Sequence, residues 1–482
     1  MRVSYIAAMA ALTVTLAGCA DRGGLRPQQS LTEPSSLHVT QSLAGVPQLA
    51  DAWPATDWWT KLGDAQLDAL IAEALQHNPG LAAVDARSRA AQAQVGLANA
   101  ARKPTVNASA SVSGARIPAT VLPMGGHFGA AKYAYASFKW GLDLWGGKRD
   151  AWQAAVGESR AAAVAAHAAR IELSANVARA YAQLGAAFTQ QDLAEDELKR
   201  AEQALQLTRQ RVAAGIDNRI QLQQGEAEVA TAQQEQAAAA QMVVATRSAL
   251  SALLGAGPDR GLRITRPHSL ALARLTVPAD LPLGLLGHRA DLVAARWRVE
   301  AARKDIQAAK TEFLPNISLG ALAGVIALGG GNPLELPARF YQIGPSLSLP
   351  VFDGGRLRAN LSGKDAAFDL AVAQYNQKLV DAVNEVAVDY AGLQSLDAQI
   401  GAQRHARDAA QGAWELAEQR YKAGVGNFLE ALTVRQQLLR AEQAMATLDA
   451  RKVDLSLQLV EALGGGFQPS AQAAAATPSE HS

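Results

Sequence analysis

The chain has 482 residues, 49% hydrophobic and 18% charged, with a formal net charge of +1. That balance is too apolar for a disordered chain. Past the N-terminus no run approaches the ~18 apolar residues of a membrane-spanning helix. A charge near zero gives no basic field for nucleic acid, and a single cysteine rules out an intramolecular disulfide and any CxxC metal or redox pair.

The chain opens with Arg2 and an apolar stretch from Val3 to Ala17, a signal peptide over residues 1–18. Its ending, Leu16-Ala17-Gly18-Cys19, resembles a bacterial lipobox, which implies that Cys19 becomes the lipidated first residue of the mature chain, with the following Ala20 directing it to the outer membrane. Residues 19–60 read as a lipidated N-terminal linker, polar and rich in Ser, Gln, Pro and Gly up to about residue 50. A helical pattern runs from Asp64 to His77, where Asn78-Pro79 breaks it, and a second from Leu81 to Arg102, before Pro104. The period then changes to two. Val106, Ala108, Ala110 and Val112 alternate with Asn107, Ser109, Ser111 and Ser113, a strand over about 105–114. After a Gly- and Pro-containing loop, a second strand fits 134–144, with Ala134, Ala136, Phe138, Trp140, Leu142 and Leu144 on one face and Ser137, Lys139, Gly141 and Asp143 on the other. From Lys148 to Ala213 no proline interrupts a helix-forming run of about 66 residues, or ~100 Å of helix, longer than any globular core. A turn at 214–219 leads into a helix over 220–254.

The same order then recurs. A helix over 289–312, strands over 316–326 and 342–351, a helix over 356–422, a turn at 423–427 and a helix over 428–463 repeat the first set at an offset of about 210. Gly354-Gly355-Arg356 matches Gly146-Gly147-Lys148, Tyr390 matches Tyr181, and Arg420 to Val425 matches Arg211 to Ile216. The reading is a tandem duplication: a first repeat at 61–258, a connecting segment at 259–288, a second repeat at 289–466 and a disordered tail at 467–482. The combined length of the two shorter helices in each half approaches that of the long one, so each half could set one long helix antiparallel to two stacked end to end. On the second long helix Phe368, Val372, Tyr375, Leu379, Val383, Val386, Tyr390, Leu393, Leu396 and Ile400 form a packing seam.

No catalytic constellation is present. The histidines are scattered, no pair sits at metal-ligand spacing, and Gly146-Gly147-Lys148 lacks the first glycine of a P-loop. No enzyme activity, cofactor or metal is expected. Charged residues such as Glu195, Asp196 and Arg200 read as a solvated helix face. Tyr133, Tyr135, Phe138, Trp140 and Trp145, with Phe340, Tyr341 and Phe352, read as the aromatic girdles of a membrane β-barrel. Four strands cannot close a barrel, and open sheet edges are not tolerated in lipid. Strands that enter a membrane here must therefore be pooled between copies of the chain.

Several motifs together resemble the outer membrane factors, the TolC/OprM/NodT-like channel proteins of tripartite efflux pumps. They are the lipobox, Trp58-Trp59, Arg289-Ala290-Asp291-Leu292, Phe313-Leu314-Pro315 and the run Tyr421 to Leu429. The resemblance covers about residues 50–466. Leu349 to Arg356 looks most like members paired with drug or aromatic-acid (fusaric-acid-type) exporters. The family implies an α+β, mostly α chain: a tandem-duplicated protomer of a homotrimer. Its twelve-stranded β-barrel in the outer membrane of a Gram-negative bacterium continues into a long periplasmic α-helical barrel. The implied function is a passive exit duct for drugs or other small molecules. The implied partners are a periplasmic adaptor (membrane fusion) protein, an inner-membrane exporter and outer membrane lipid, with no nucleic acid. A non-channel periplasmic helical-hairpin adaptor is the alternative, set apart by the paired strands and duplicated hairpins. The resemblance also places the closed end of the duct at the turns carrying Gly215 and Gly424, with Asp217, Arg219 and Tyr421 beside them. In OprM-like members a Leu-x-x-Leu-Asp-Ala-Gln-like pattern after the second turn supplies constriction rings. Here Leu429 keeps the leucine and Thr433-Val434-Arg435 replaces Asp-Ala-Gln. An acidic ring is therefore expected one helical turn earlier, at Glu430, with Arg219 or Arg420 as its partner.

Overall fold

The computed structural model describes residues 23–39, 41–44, 48–49, 53–116, 118, 128–268, 270, 277–278, 281, 283–328, 331–332 and 335–468. The signal peptide, Cys19 and the terminal tail lie outside the described residues, apart from Phe467 and Gln468. In chain order the principal elements are α1 (Ala65–His77), α2 (Pro79–Ala100), β1 (Thr105–Arg116), β2 (Phe128–Gly141), α3 (Gly147–Ala213), α4 (Arg219–Leu253), α5 (Ala290–Thr311), β3 (Asn316–Leu328), β4 (Arg339–Ser348), α6 (Arg356–Lys422) and α7 (Phe428–Ala462). The repeated halves match in helix length: 22 residues in α2 and α5, 67 in α3 and α6, 35 in α4 and α7. The chain forms two compact units. One takes the described part of Met1–Leu31 with Arg87–Ala163 and Ala294–Asn376, the other Thr32–Ala86, Val164–Val293 and Gln377 onward.

The first unit holds a four-stranded antiparallel sheet in the order β1-β2-β3-β4. Its register carries one face through all four strands. Val106 pairs with Phe138, Phe138 with Ala321 and Ala321 with Ile343; Ala108, Ala136, Ala323 and Tyr341 form the next row. This face is apolar apart from Arg116, Lys132 and Arg339, all near the loop-bearing end of the sheet. The other face carries Asn107, Ser109, Ser137, Lys139, Gln342 and Ser346. The apolar face is uncovered: Val106, Val112, Tyr341, Ile343 and Leu347 are each at least 70% exposed. The outer rows of backbone groups on β1 and β4 have no partner strand among the described residues.

Parity along the strands corrects the reading of the aromatics. Tyr133 and Tyr135, stacked at 6.1 Å, share the polar face with Phe340, whereas Phe138, Trp140 and Tyr341 lie on the apolar one. The strand ends differ too. β2 stops at Gly141 and β4 at Ser348; the Leu142 amide still donates to the Ile317 carbonyl of β3, while Leu144, Leu349 and Val351 fall beyond the sheet. Asp143 is not a strand residue but a cap: its carboxylate accepts from the Lys148 and Arg149 amides at 2.9 and 2.8 Å, satisfying donors that a helix start leaves open. Asp353 does the same for Gly355 and Leu357 at the repeated corner.

The linker reading is also revised. Residues 23–30 lie along α6. Leu25 packs against the cluster of Ile306, Phe313 and Leu361, the Gln28 and Gln29 amides donate to Asp369 at 2.9 Å, and Asn376 donates to the Ser30 carbonyl. In the second unit the main core gathers Trp58, α1, the middle of α3 and the end of α4 around Tyr181, whose hydroxyl donates to Asp64, the α1 cap, at 2.8 Å. Along the α6 seam Val372, Leu379, Val386 and Leu396 are buried.

Candidate functional site

The helical tips belong to the second unit. At each, a long helix ends in a glycine with left-handed backbone, Gly215 at φ 70° and Gly424 at φ 76°, the conformation that closes a helix without steric cost only for glycine. The amides of Ile216 and Asp217 return to the Arg211 carbonyl, and those of Val425 and Gly426 to the Arg420 carbonyl. Asn218 then caps α4 in a reciprocal box with Gln221, and Asn427 caps α7 through the Glu430 amide at 2.7 Å.

Between the tips runs a polar network. Arg211 Nε donates to Asp217 Oδ2 at 2.8 Å and its Nη1 to the Tyr421 carbonyl at 3.2 Å, while the guanidinium lies 4.5 Å from the Tyr421 ring centre. The Tyr421 hydroxyl donates to Asp217 Oδ2 at 3.0 Å and lies 3.2 Å from the Thr208 hydroxyl, which donates to the Ala204 carbonyl at 2.9 Å. Arg211 and Asp217 are 12% and 5% exposed. Burial raises the Tyr421 phenol above its ordinary value, the Thr208 bond opposes this, and Asp217 adds to the rise. Tyr421 also packs on Phe428 and Ala431. One carboxylate thus joins α3 to α6 through two donors.

The expected site residues fall into two groups. Asp217 and Tyr421 are bonded to each other, with Gly215 and Gly424 setting the turns. Leu429, Glu430, Thr433 and Arg219 are exposed. Glu430 stands 3.9 Å from Arg420 in a half-exposed pair, and Arg219 has no ion pair among the described residues. Thr208 and Arg211 were not singled out from sequence. Arg211 was visible only as the repeat partner of Arg420. Glu197, the neighbour of charges read as a solvated face, is 4% exposed and accepts from Arg435 Nε at 2.8 Å.

Among the described residues no group of three or more His, Cys, Asp or Glu side chains could hold a metal ion, and no helix is long and apolar enough to cross a membrane. A family model described as "Outer membrane efflux protein" matches residues 70–256 and 281–465, one segment for each half. The chain belongs to this outer membrane efflux protein family. It is 31% identical over 468 residues to the multidrug resistance outer membrane protein MdtP of Escherichia coli strain K12, covering 95% of each chain. It is 34% identical over 372 residues to the fusaric acid resistance protein FusA of Burkholderia cepacia, covering 74% of this chain and 69% of that one. Among solved structures, the outer membrane protein VceC of Vibrio cholerae superposes with a TM-score of 0.80 at 34% identity, over 86% of this chain and all of that one. The Campylobacter jejuni CmeC outer membrane channel, at 20% identity and a TM-score of 0.85, shares the fold. This protein is an outer membrane efflux channel with the TolC-like fold, mostly α with a small sheet.

Proposed function

We propose that the chain is the exit duct of a tripartite efflux system. It works as a homotrimer that passively conducts drugs or other small organic molecules handed on by an inner-membrane exporter and a periplasmic adaptor. The carrying observation is the sheet: one apolar, uncovered face and two unpaired edges. Unpaired backbone groups are excluded from the hydrocarbon core, so β1 of one copy pairs with β4 of the next, and three copies of four strands close one barrel. Strands of 10–14 residues span the ~9–11 that a tilted membrane strand needs. Lys132 and Arg339 reach the headgroups at the outer rim. Cys19 carries the lipid. It stands four residues before Gly23, which lies beside Arg358 near the start of α6, a reach of at most ~14 Å.

The tips form the gate. Asp217 and Tyr421 hold the two hairpins of one copy together, while Leu429, Glu430 and Thr433 lie on faces available to the other copies, as a dry constriction and a ring of carboxylates. Conductance of the purified protein in a planar bilayer tests the duct. Stepwise openings from a trimeric species are expected, and a species that inserts without conducting refutes the reading. Ile343→Arg, on the apolar face, should cost ~2–4 kcal/mol and reduce the heat-resistant oligomer, while Gln342→Arg should leave it intact. Labelled palmitate should enter the wild type and not Cys19→Ser.

A further inference from the structure

The sheet carries charge of one sign. Its four strands hold Arg116, Lys132, Lys139 and Arg339 and not one Asp or Glu, although the chain as a whole balances 45 basic residues against 44 acidic ones. Three of the four cations lie on the apolar face near the loop-bearing end. Lys139 stands alone on the polar face, in a row with Thr105, Gly320 and Gly344. It is exposed and has no ion pair among the described residues. The two glycines put no side chain beside it, so nothing in the row covers or neutralises its ammonium group.

A second cation joins it from the corner. Lys148, in the first turn of α3, folds back so that its Nζ donates to the Gly141 carbonyl at 2.9 Å. A Cβ on Gly141 would stand 2.7 Å from that nitrogen, and Gly141 shares its parity with Lys139. The Lys148 ammonium group therefore occupies the polar face where a side chain at 141 would have stood, one row from Lys139 and ~7 Å along the strand. In the same row the Ser318 and Ser346 hydroxyls lie 2.7 Å apart. The carboxylates next along the chain are engaged elsewhere: Asp143 accepts from the Lys148 and Arg149 amides, and Asp150 from Lys304 at 3.2 Å. Two ammonium groups this close repel each other, and an anion between them turns the repulsion into charge-assisted hydrogen bonds. Two rows outward from Lys139 on the same face, Tyr135 and Phe340 flank Gly324 and offer ring faces to an organic body.

We infer that Lys139 and Lys148 form a binding site for small organic anions, whose carboxylate or sulfonate lies between the two ammonium groups while the body extends toward Tyr135 and Phe340. The inference rests on the duct reading for its setting: the polar face is then the lumen of the barrel, and three copies of the lysine pair ring its inner end. A pore with low-dielectric walls focuses such a field. The ring therefore raises the local concentration of anionic solutes in the barrel and lowers that of cations.

Lys139→Gln, Lys139→Glu and the double variant Lys139→Gln/Lys148→Gln test the site, with Lys132→Gln, which loses the same charge on the apolar face, as the control. Planar bilayers under a potassium chloride gradient at low salt leave the lysines unscreened. The chloride-to-potassium permeability ratio should fall about threefold in Lys139→Gln, the attraction of one charge at ~7 Å in water. It should fall further in Lys139→Glu and in the double variant, and Lys132→Gln should match the wild type. Calorimetry on the purified full-length protein in detergent reads the site without conduction. Naphthalene-2-sulfonate should bind saturably and the neutral naphthalene-2-sulfonamide about tenfold more weakly, the product of two such attractions, and the double variant should lose the difference. An unchanged permeability ratio in the double variant, a change in Lys132→Gln as large as in Lys139→Gln, or equal binding of sulfonate and sulfonamide overturns the assignment. Absence of conductance in the wild type would instead count against the duct, and the calorimetric comparison still decides the anion site.

Discussion

The two tips are copies of one turn that have come to do different things. Gly215 and Gly424 share their backbone conformation, Arg211 and Arg420 offer equivalent carbonyls, and Asn218 and Asn427 cap the next helix alike. The side chains have parted. Asp217 in the first tip corresponds to Gly426 in the second, and Tyr421 in the second corresponds to Val212 in the first. As a result Arg211 is nearly buried against Asp217, while Arg420, in the same place on its own turn, is 57% exposed with a carboxylate 3.9 Å away. Duplication conserved what the backbone needs and freed side chains to become complementary: a carboxylate on one hairpin, a phenol on the other.

The comparison is broken most sharply at Asp217. Asp217→Ala leaves a guanidinium and a phenol without their acceptor in a site that excludes water, and should cost ~3 kcal/mol. Hydrogen exchange at the tip amides should then speed up about a hundredfold, with a more open pore as the electrical counterpart. Exchange at the wild-type rate would mean that the network does not hold the tips together.

The shared backbone predicts equal penalties. Gly215→Ala and Gly424→Ala each force a Cβ into the left-handed region and should each cost ~1–2 kcal/mol. Neither added methyl meets an atom within 4 Å, so strain is the whole effect, and matched shifts in thermal midpoint are expected. Tyr421→Phe is milder. It removes one hydroxyl while Arg211 still pairs with Asp217, so about 1 kcal/mol is expected, read as roughly fivefold faster exchange at the second tip alone.

The backbone half of this comparison was legible in the sequence. A change of period marked strands against helices, and Gly, Asn and Pro marked the turns. Helix ends came out within about two residues because glycine and asparagine act locally. Strand ends did not, since the Phe128–Tyr133 segment, rich in Gly and Ala, shows no alternation. The girdle reading fits Trp140 and Tyr341, near strand ends on the apolar face, and misplaces Tyr133, Tyr135 and Phe340, because it grouped aromatics by proximity in sequence, whereas parity sends Tyr135 and Phe138 to opposite faces. Burial of Glu197 was invisible because it sits among charges that do face water, and that of Arg435 because only tertiary packing brings it to Glu197. Thr208 and Arg211 were hidden for the same reason: their partners lie across a turn or on another helix.

The smallest effect is expected at Glu430, and it separates the roles of the two arginines. Within one copy Glu430 and Arg420 form a half-exposed pair, of a kind worth ~0–1 kcal/mol and weakened by salt. Glu430→Gln keeps the side-chain volume and leaves the Asn427 cap intact, because that cap engages the Glu430 amide and not its carboxylate. Stability and tip exchange should therefore change by less than ~0.5 kcal/mol, against ~3 kcal/mol at Asp217. Pore electrostatics can still respond. Three copies of a carboxylate around one axis attract cations even when each is solvated, so Glu430→Gln should lower cation selectivity and weaken block by trivalent cations. A change in selectivity without one in exchange assigns Glu430 to the aperture and Asp217 to the latch. No change in either places Glu430 on the outer surface of the tip, and the acidic ring must then be sought elsewhere along α7.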